Sequence, residues 1–568
     1  MSASSCSLSS LDAQKQRGRG YGPKDERALK NGTANGAKHV KPKPDNIVIS
    51  EDYWKAVLKD GVVEFGESCG IDDYEQVTAK ALEYGREHLG ETSISDAITH
   101  NISLARQKKR DTTGWKQLAQ SQHSANTVNP IRKIADGLAV QPNPEKSPIK
   151  LNLGDPTLFG NLPPPEAAIK ALQDTIASHR YDGYGPAVGD LKARQAVADY
   201  ASRPGSAVTP DDVILASGCS HALQMAIEAI ADPGDNILVP SPGFPLYKTL
   251  CRPHGIEDRA YRLDLHDGGQ VDLFHLEQLI DERTKAIIIN NPCNPTGIVF
   301  SKEHLEAILR IAERHRVVLI ADEIYGDLVY SGAVFHPMHS LSPRVPVITC
   351  DGLAKRWLVP GWRLGWVIVH DRHGVLSEVR KGMIALSQKI VGPCALLQGA
   401  LPAILRDTPA EYFERTRRVI AANAQLVQRQ LSGVLGVRCL RPHGAMYMML
   451  TVDEKLYGDD MQFCQNLIMA ESVYCLPGTA FDAPGWIRLV ITHPQEQIVE
   501  ACARIRAFCA AQRRRGNAEP RQGSIGFDEN LDEDEDDVVS EDGEMSPDEG
   551  CEDVDVSTSD FSADSRRQ

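Results

Sequence analysis

The sequence predicts an α/β protein with two folded parts: a large domain, in which helices cover both faces of a mainly parallel sheet, and a smaller α+β domain. From about residue 148 onward, short apolar runs that are typical of buried strands alternate with segments of helical period. The strand-like runs are residues 213–216, 236–239, 286–289, 317–321 and 345–349, and helical segments follow at 220–231 and 302–315. This alternation indicates βαβ units, whose parallel strands are buried between helices.

The chain divides into five predicted parts. Its 568 residues are too many for one compact domain, and the composition changes along the chain. Polar and basic residues at the start predict an N-terminal extension that is largely disordered or of unknown role. The predicted parts are the extension at residues 1–120, a segment contributing to the small domain at 125–175, the large domain at 176–414, the C-terminal small domain at 415–512 and an acidic disordered tail at 513–568.

The net charge of −15 belongs to the tail and says little about the rest of the chain. Sixteen Asp and Glu residues lie between Asp528 and Asp555, a stretch without Lys or Arg, and without them the acidic residues nearly balance the basic ones. Ser540 and Ser546 lie in this stretch, so the tail could be phosphorylated or bind a regulatory partner. A tail that only increases solubility is the simpler alternative.

Composition and motifs argue against several classes of protein. The sequence has no run of about 18 apolar residues and no apolar secretory signal, so we expect no membrane association. The 13 cysteines include no CxxC pair, which favours reduced thiols in the cytoplasm over disulfides or a metal site. The basic cluster at residues 106–110 is more typical of a solvated linker than of nucleic-acid binding. We therefore predict a cytoplasmic protein that binds neither membrane, nor metal, nor nucleic acid.

Unusual polar residues follow the predicted strands at their carboxyl ends, where open parallel sheets bind ligands. After residues 213–216 come Gly218, Cys219 and Ser220 at the start of a helix, and such a helix N-terminus suits a phosphate. Ser220 could instead be only a helix cap. Phe244 follows the next strand in a loop stiffened by Pro and Gly, so its ring could stack on a flat cofactor or pack under its own loop.

Two further strands end in an amide and an acid. Residues 286–289 run into NNPCNPTG, whose two Asn-Pro steps form a rigid turn that either directs Asn294 towards the cleft or is only structural. Residues 317–321 run into Asp322 and, three residues on, Tyr325. A buried acid is costly unless it meets a cation, and a protonated pyridine nitrogen would supply one. A carboxylate that caps the next segment is the alternative.

The last predicted strand leads to Lys355 and then to Arg363. A lysine in a desolvated pocket can form a Schiff base with an aldehyde, although most lysines are surface residues. Arg363 could hold a phosphate through two hydrogen bonds. The sequence has no phosphate-binding loop of the nucleotide type, no GxSxG elbow and no GxGxxG after a strand, which argues against nucleotide and serine-hydrolase chemistry.

Taken in order, these motifs resemble those of the fold-type I pyridoxal-phosphate-dependent aminotransferases. The resemblance covers about residues 125–510 and is specific, because separated motifs recur in order with similar spacing. Its short motifs are SGCS at 217–220, Phe244, NPTG at 294–297, DEIY at 322–325, Lys355, Arg363 and Arg488. Three longer segments are similar to family members that act on tyrosine: GDPTLFGNLP at 154–163, GLAKRWLVPGWRLGW at 352–366 and GAMY at 444–447.

The resemblance implies pyridoxal 5'-phosphate as cofactor and a role for each motif. Lys355 would form the Schiff base and move the substrate proton, and Asp322 would keep the pyridine nitrogen protonated. Asn294 and Tyr325 would hydrogen-bond the ring hydroxyl, and Phe244 would stack on the ring.

The remaining implied contacts concern the phosphate and the substrate. Gly218, Cys219, Ser220 and Arg363 would bind the phosphate, and Tyr184 would reach the phosphate of the neighbouring subunit, which implies a homodimer. Arg488 would bind the substrate carboxylate with help from Gly154 and Asn294. Many relatives carry serines one and three residues before the lysine, where this chain has Ala354 and Gly352. One phosphate contact is then lost, for which Cys219 and Ser220 offer a substitute.

The implied reaction transfers the amino group of L-tyrosine, and of other aromatic amino acids, to 2-oxoglutarate. The products would be 4-hydroxyphenylpyruvate and glutamate, in the first step of tyrosine catabolism. The alternatives are an aminotransferase that prefers alanine, kynurenine or a broad set of aromatic substrates, a β-lyase on the same scaffold, and a binding protein that has lost the chemistry. The presence of Lys355, Asp322 and Arg488 argues against the last of these.

Overall fold

The computed structural model describes residues 117–518, except residues 267, 331 and 342–343. The predictions for the N-terminal extension up to residue 116, for the basic cluster at 106–110 and for the acidic tail lie outside the described residues.

The described residues contain fourteen strands and sixteen α-helices. The strands are β1 Ile149–Lys150, β2 Val213–Ala216, β3 Asn236–Ser241, β4 Glu257–Asp264, β5 Gln270–Val271, β6 Thr284–Asn290, β7 Val318–Asp322, β8 Val347–Gly352, β9 Gly365–His370, β10 Val437–Cys439, β11 Tyr447–Val452, β12 Val473–Tyr474, β13 Leu476–Pro477 and β14 Trp486–Val490. The helices are α1 Gln122–Asn126, α2 Pro130–Gly137, α3 Glu166–Ser178, α4 Leu191–Ala201, α5 Cys219–Ile230, α6 Leu246–Cys251, α7 Leu273–Gln278, α8 Lys302–His315, α9 Met338–Leu341, α10 Leu353–Arg356, α11 Ser377–Ser387, α12 Ala395–Asp407, α13 Ala410–Leu431, α14 Glu454–Tyr457, α15 Asp460–Glu471 and α16 Gln495–Ala518. Short 3-10 helices lie at Pro210–Asp212, Arg252–His254, Pro360–Trp362, Gln388–Ile390 and Gly478–Phe481.

The main sheet has eight strands in the order β2-β9-β8-β7-β6-β3-β4-β5. Neighbouring strands from β8 to β4 are parallel, whereas β9 is antiparallel to both of its neighbours and β5 is antiparallel to β4. The predicted α/β fold with a mainly parallel sheet is confirmed. Three strands of this sheet, β4, β5 and β9, are not among the predicted strand-like runs. The apolar residues of β9 were interpreted as part of the segment that carries the lysine.

Side chains that alternate along the central strands enter two different apolar cores. In β6, Ala286 and Ile288 pack in one core, and Ile287 and Ile289 pack in the other. Because successive side chains of a strand point to opposite faces, both faces of this sheet are covered. That is why these strands appear in the sequence as continuous apolar runs rather than as an alternation of apolar and polar residues.

A second sheet lies in the C-terminal part of the chain. It has four strands in the order β10-β11-β14-β13, and all its pairings are antiparallel. A separate two-stranded pairing joins β1 to β12 in parallel, with Ile149 opposite Val473. In addition, the backbone N–H of Val490 donates to the carbonyl of Leu151 at 2.8 Å. The segment that precedes the large sheet in sequence is thereby fixed to the C-terminal part of the chain.

Among the described helices, none combines the length and the apolar character that a membrane crossing requires.

Candidate active site

The carboxyl ends of β6, β7 and β8 lie side by side. The backbone register places Asn290 opposite Asp322 and Asp322 opposite Cys350. The strands end later than the sequence suggested, since β7 includes Asp322 and β8 runs to Gly352. The predicted strand ends therefore meet at one edge of the sheet, as parallel strands require.

Asp322 is a buried carboxylate, 3% exposed, at the end of β7. It accepts hydrogen bonds from the Tyr247 hydroxyl at 2.7 Å and from the Cys219 thiol at 3.6 Å. The backbone N–H of Ile324 makes a weak contact with it at 3.4 Å, so capping of the next segment is a minor part of its surroundings. Burial raises the pKa of Asp322, although these hydrogen bonds lower it in part. Asp322 forms no ion pair with any Lys or Arg of the described part of the chain.

Lys355 lies in the short helix α10, directly after β8. The side chain is half-buried, and its Nζ donates to the carbonyl oxygen of Gly154 at 2.9 Å. Residues that are 201 positions apart in the sequence thus meet here. A Cβ atom on Gly154 would lie 2.7 Å from the Tyr447 hydroxyl oxygen, so this position leaves no room for a side chain.

The N-terminus of α5 is open for an anion. Gly218, with φ of 77°, is the N-cap, and α5 begins at Cys219, so the alternative that Ser220 caps the helix is wrong. The backbone N–H groups of Cys219 and Ser220 have no acceptor among the residues described. A Cβ on Gly365 would lie 2.6 Å from the Cys219 nitrogen, so glycine at 365 leaves this nitrogen accessible. Helix N-termini of this kind bind phosphate.

Arg363 is next to this helix N-terminus. Its Nη2 atom donates to the Ser217 carbonyl at 3.3 Å, and its side chain is exposed. A Cβ on Gly218 would lie 2.5 Å from Nη2 of Arg363, so the glycine allows the guanidinium to approach. Arg363 and the free N–H groups of α5 form one positively polarised cradle.

Arg488 lies in the middle of β14, paired with Met449 of β11 on one side and with Leu476 of β13 on the other. Its side chain is 3% exposed and makes no ion pair within the described ranges. Nη1 donates to Asn294 Oδ1 at 3.0 Å, whereas Nε is buried and has no hydrogen-bond partner within the described ranges. Burial lowers the pKa of Arg488. A buried guanidinium without a carboxylate is costly, which favours binding of an acidic ligand.

Tyr325 is buried and hydrogen-bonded to Tyr447. Their hydroxyl oxygens are 2.8 Å apart, and the two rings meet edge to face at 5.7 Å. Burial raises the pKa of Tyr325, and the neighbouring Tyr447 raises it further. Burial also favours the neutral form of Tyr447, but the charges of Lys355 and Arg488 bring its pKa below the usual value.

Two of the predicted site residues, Phe244 and Tyr184, have fewer contacts than the others. Phe244 is half-buried and meets Tyr247 edge to face, with ring centroids 6.0 Å apart. Tyr184 is 95% exposed, and no hydrogen bond or ring contact joins it to another described residue. The structure therefore brings together Lys355, Asp322 and their neighbours, but it leaves Tyr184 outside this group.

Five residues with a place in the site were given no role from the sequence, although Tyr447 belongs to the GAMY segment: Tyr247, Asn290, Asn152, Tyr447 and Phe481. Asn290 links two predicted parts, because its side chain accepts from the Asn294 N–H at 2.7 Å and donates to the Asp322 carbonyl at 3.1 Å. The signal for Asn290 was its position at a strand end. The contacts of the others depend on partners far away in the sequence.

The residues present fit pyridoxal phosphate. Asp322 is a buried acid without a cation among the described residues, and the cofactor's pyridinium nitrogen would provide one. The open helix N-terminus and Arg363 form a cradle for a phosphate, which requires glycine at 218 and at 365. Lys355 provides an amine for the aldehyde. Within the described ranges, no group of three or more His, Cys, Asp or Glu residues is arranged to hold a metal ion.

Comparison with known proteins gives consistent findings. The profile of the family described as Aminotransferase class I and II matches residues 146–505. Tyrosine aminotransferase of Caenorhabditis elegans is 60% identical over 70% of this chain and 85% of the relative, and that of Mus musculus is 47% identical over 68% and 87%. The crystal structure of tyrosine aminotransferase from Leishmania infantum has a TM-score of 0.67 and 33% identity, over 70% of this chain and 99% of that one.

Proposed function

The chain belongs to the class I and II aminotransferases, and from that premise we propose that it transfers the amino group of L-tyrosine to 2-oxoglutarate. The products are 4-hydroxyphenylpyruvate and glutamate. The name and the 60% identity of the nematode relative support tyrosine as the substrate. The observation that carries the proposal is Arg488, a buried guanidinium that has no acid partner in the described part of the chain and is linked through Asn294 to the strand ends around Asp322. Both proposed substrates carry the α-carboxylate that it would bind.

When bound, pyridoxal phosphate supplies an electron-withdrawing ring that stabilises negative charge at the substrate Cα. Lys355 would hold the cofactor and use Nζ to move the proton from the substrate Cα to the cofactor carbon, first as a general base and then as a general acid. The carbonyl of Gly154 holds Nζ at 2.9 Å and so directs the amine. Asp322 would keep a proton on the pyridine nitrogen, since its buried carboxylate gains a cation in this way.

Three groups would fix the position of the cofactor. Gly218, Cys219 and Ser220, together with Arg363, would bind the phosphate. Asn294 and Tyr325 would hydrogen-bond the ring hydroxyl, and Phe244 would cover one ring face.

Gly154 and Asn294 would support Arg488 in binding the carboxylate of the substrate.

The exposure of Tyr184 supports a homodimer. A tyrosine that is 95% exposed and contacts none of the described site residues of its own chain is available to a second copy. In the proposed dimer, Tyr184 binds the cofactor phosphate of the neighbouring subunit. We also propose a cytoplasmic enzyme whose small domain consists of residues 125–175 and 415–512, and whose acidic tail binds a regulatory partner.

The test of the reaction is a half-reaction without an oxo acid. The protein loaded with cofactor is mixed with tyrosine, and 4-hydroxyphenylpyruvate should form in an amount equal to the enzyme. Addition of 2-oxoglutarate should then give continuous turnover and glutamate. Faster turnover of alanine or kynurenine, or release of ammonia and pyruvate from a β-substituted substrate, would instead identify one of the alternative enzymes.

A further inference from the structure

Tyr447 lies at the centre of the site but has no role in the scheme above. It is 3% exposed on β11, and it contacts Tyr325, Gly154 and Arg488. The carbonyl of Gly154 in turn accepts a hydrogen bond from Nζ of Lys355. A buried tyrosine that contacts three separate parts of a site affects the position of all of them.

The ring of Tyr447 holds the guanidinium of Arg488. The Cζ atom of Arg488 lies 4.3 Å from the centroid of the Tyr447 ring and 4.6 Å from that of Phe481. The strand register explains the first contact, because Arg488 is paired with Met449, two residues after Tyr447 on the same face of β11. A guanidinium that lies over two aromatic rings is held by cation–π attraction and has little freedom to rotate.

The contacts of Arg488 leave only part of its N–H edge available. Nη1 donates to Asn294 Oδ1 at 3.0 Å and Nη2 to the Asn152 carbonyl at 3.2 Å. Nε is buried and has no partner among the described residues, so the N–H groups left for a ligand are those of Nη1 and Nη2, which lie in the plane of the guanidinium. A flat carboxylate that approaches in this plane can use them, since guanidinium and carboxylate pair edge to edge.

The hydroxyl of Tyr447 controls Tyr325. The two oxygens are 2.8 Å apart, and either could donate. Each hydroxyl has a single hydrogen. When Tyr325 donates its hydrogen to the ring oxygen of the cofactor, as proposed, its own oxygen can only accept from Tyr447, so Tyr447 is the donor of this pair. Hydrogen bonds in such a chain strengthen one another.

We infer that Tyr447 is a positioning residue with two separable parts: its hydroxyl directs the hydrogen of Tyr325 towards the cofactor, and its ring holds Arg488 edge-on for a carboxylate. The inference rests on the proposed function, because it takes the carboxylate to be that of the substrate. It adds a residue whose effect passes through Tyr325 and Arg488.

Two substitutions separate the two parts. Tyr447→Phe removes the hydroxyl and keeps the ring, whereas Tyr447→Leu removes both. Tyr330→Phe is the matched control, because Tyr330 is also buried and also loses one hydrogen bond, from its hydroxyl to the Gly444 carbonyl at 3.0 Å. This control reveals the general effect of removing a buried phenol hydroxyl from the fold.

The ring is tested by binding without turnover. Calorimetry measures the affinity of the protein for glutarate and for 3-(4-hydroxyphenyl)propionate, which have the carboxylate but no amino or oxo group. The measurement is made on the cofactor-free and on the loaded protein. Tyr447→Phe should bind both within about 3-fold of the original protein, and Tyr447→Leu should bind about 10-fold more weakly, as expected for the loss of one buried cation–π contact. Unchanged binding by Tyr447→Leu would overturn the role of the ring.

The hydroxyl is tested by kinetics and by the visible spectrum. Tyr447→Phe should lower kcat about 10-fold with little change in KM, as expected for one lost hydrogen bond. The pH midpoint of the cofactor's visible absorbance change should rise in Tyr447→Phe and in Tyr325→Phe, because a weaker donor stabilises the anionic ring oxygen less. Tyr330→Phe should leave this midpoint unchanged.

The double variant Tyr325→Phe/Tyr447→Phe decides whether Tyr447 acts through Tyr325. We expect it to be no slower than Tyr325→Phe alone, since residues that act as one unit are not additive. If the loss of kcat in the double variant equalled the product of the losses in the two single variants, the role of the hydroxyl would be overturned. If the original protein accepted glutamate but not tyrosine, the proposed substrate would be wrong, and the glutarate binding and the absorbance midpoint would still test Tyr447.

Discussion

The eight-stranded and the four-stranded sheet contribute to the same site in different ways. In the first, Asp322 and Lys355 lie at or directly after the carboxyl ends of parallel strands. In the second, Arg488 lies in the middle of an antiparallel strand with partners on both sides. Parallel strands thus present reactive groups at one edge, whereas the antiparallel strand presents its arginine from one face. The two halves of the site are also chemically distinct, since the first fits a cofactor and the second an acidic substrate.

The largest expected effect comes from the parallel sheet. Lys355→Met removes the amine that would hold the cofactor and move the proton, so kcat with tyrosine should fall by about 10²- to 10⁴-fold or more. Steady-state kinetics of the loaded protein measures this. Lys381→Met, which changes a lysine on the surface of α11, is the control and should retain full activity. A Lys355→Met protein with more than a tenth of the original rate would contradict the assignment.

The four-stranded sheet is tested by Arg488→Met. Removal of a buried charged partner costs about 2–5 kcal/mol, so kcat/KM should fall about 30- to 4000-fold for both substrates. Cofactor affinity should change little, because this arginine belongs to the other half of the site. Arg438→Met, at an exposed position of the same sheet, is the control. Equal losses of substrate and cofactor binding would mean that the two halves are not separable.

Arg363→Met tests the cofactor half of the site and should have a smaller effect than Arg488→Met. Arg363 is exposed, and a hydrogen bond to a charged group contributes about 1.5 kcal/mol at the low end, so cofactor affinity should fall about 10-fold. KM for tyrosine should stay within about 3-fold when cofactor is saturating. Titration of the cofactor-free protein with pyridoxal phosphate measures the affinity. A raised KM with unchanged cofactor affinity would place Arg363 in the substrate half.

The last effect concerns stability rather than activity and involves Glu323, the buried acid next to Asp322. Burial raises the pKa of Glu323 to about 8, whereas its ordinary value is 4.5. The folded state therefore holds a proton that the unfolded state has released between about pH 4.5 and pH 8, so this group makes the protein less stable as pH rises through that window. Above pH 8 the loss of stability caused by Glu323 no longer grows with pH.

Glu323→Gln should remove this dependence. The difference in Tm between Glu323→Gln and the original protein should move in favour of the variant from pH 5 to pH 8, as measured by calorimetry. Glu414→Gln, at an exposed position of α13, should show no such trend. A difference in Tm that is constant with pH would show that Glu323 is already ionised in the folded protein.

The same contrast between the sheets explains what could be predicted from the sequence. Asp322, Asn294 and Lys355 were found because each follows an apolar run, and strand ends in a parallel sheet mark ligand sites. The strand boundaries were displaced by one to three residues, since hydrogen bonding continues past the apolar run. Arg488 has no such signal, because it interrupts the apolar residues of a short strand, and only the resemblance to a known family identified it.

Residues whose contacts span long sequence distances could not be predicted. Tyr247 meets Asp322 across 75 positions, Tyr325 meets Tyr447 across 122, and Asn152 meets Arg488 across 336. Nothing in the local pattern of a tyrosine or an asparagine indicates such a partner. The shared site is formed by the tertiary fold, whereas each half taken alone is partly visible in the sequence.

The bond between the Val490 N–H and the Leu151 carbonyl has a consequence for synthesis of the protein. About 340 residues separate these two positions, and at about 5–20 residues per second a ribosome needs roughly 20–70 s to make them. The strands of the eight-stranded sheet are complete by His370, well before Arg488 is made. We therefore expect the nascent chain to form the half that carries the lysine first, while residues 149–154 wait for the last strand that completes the site.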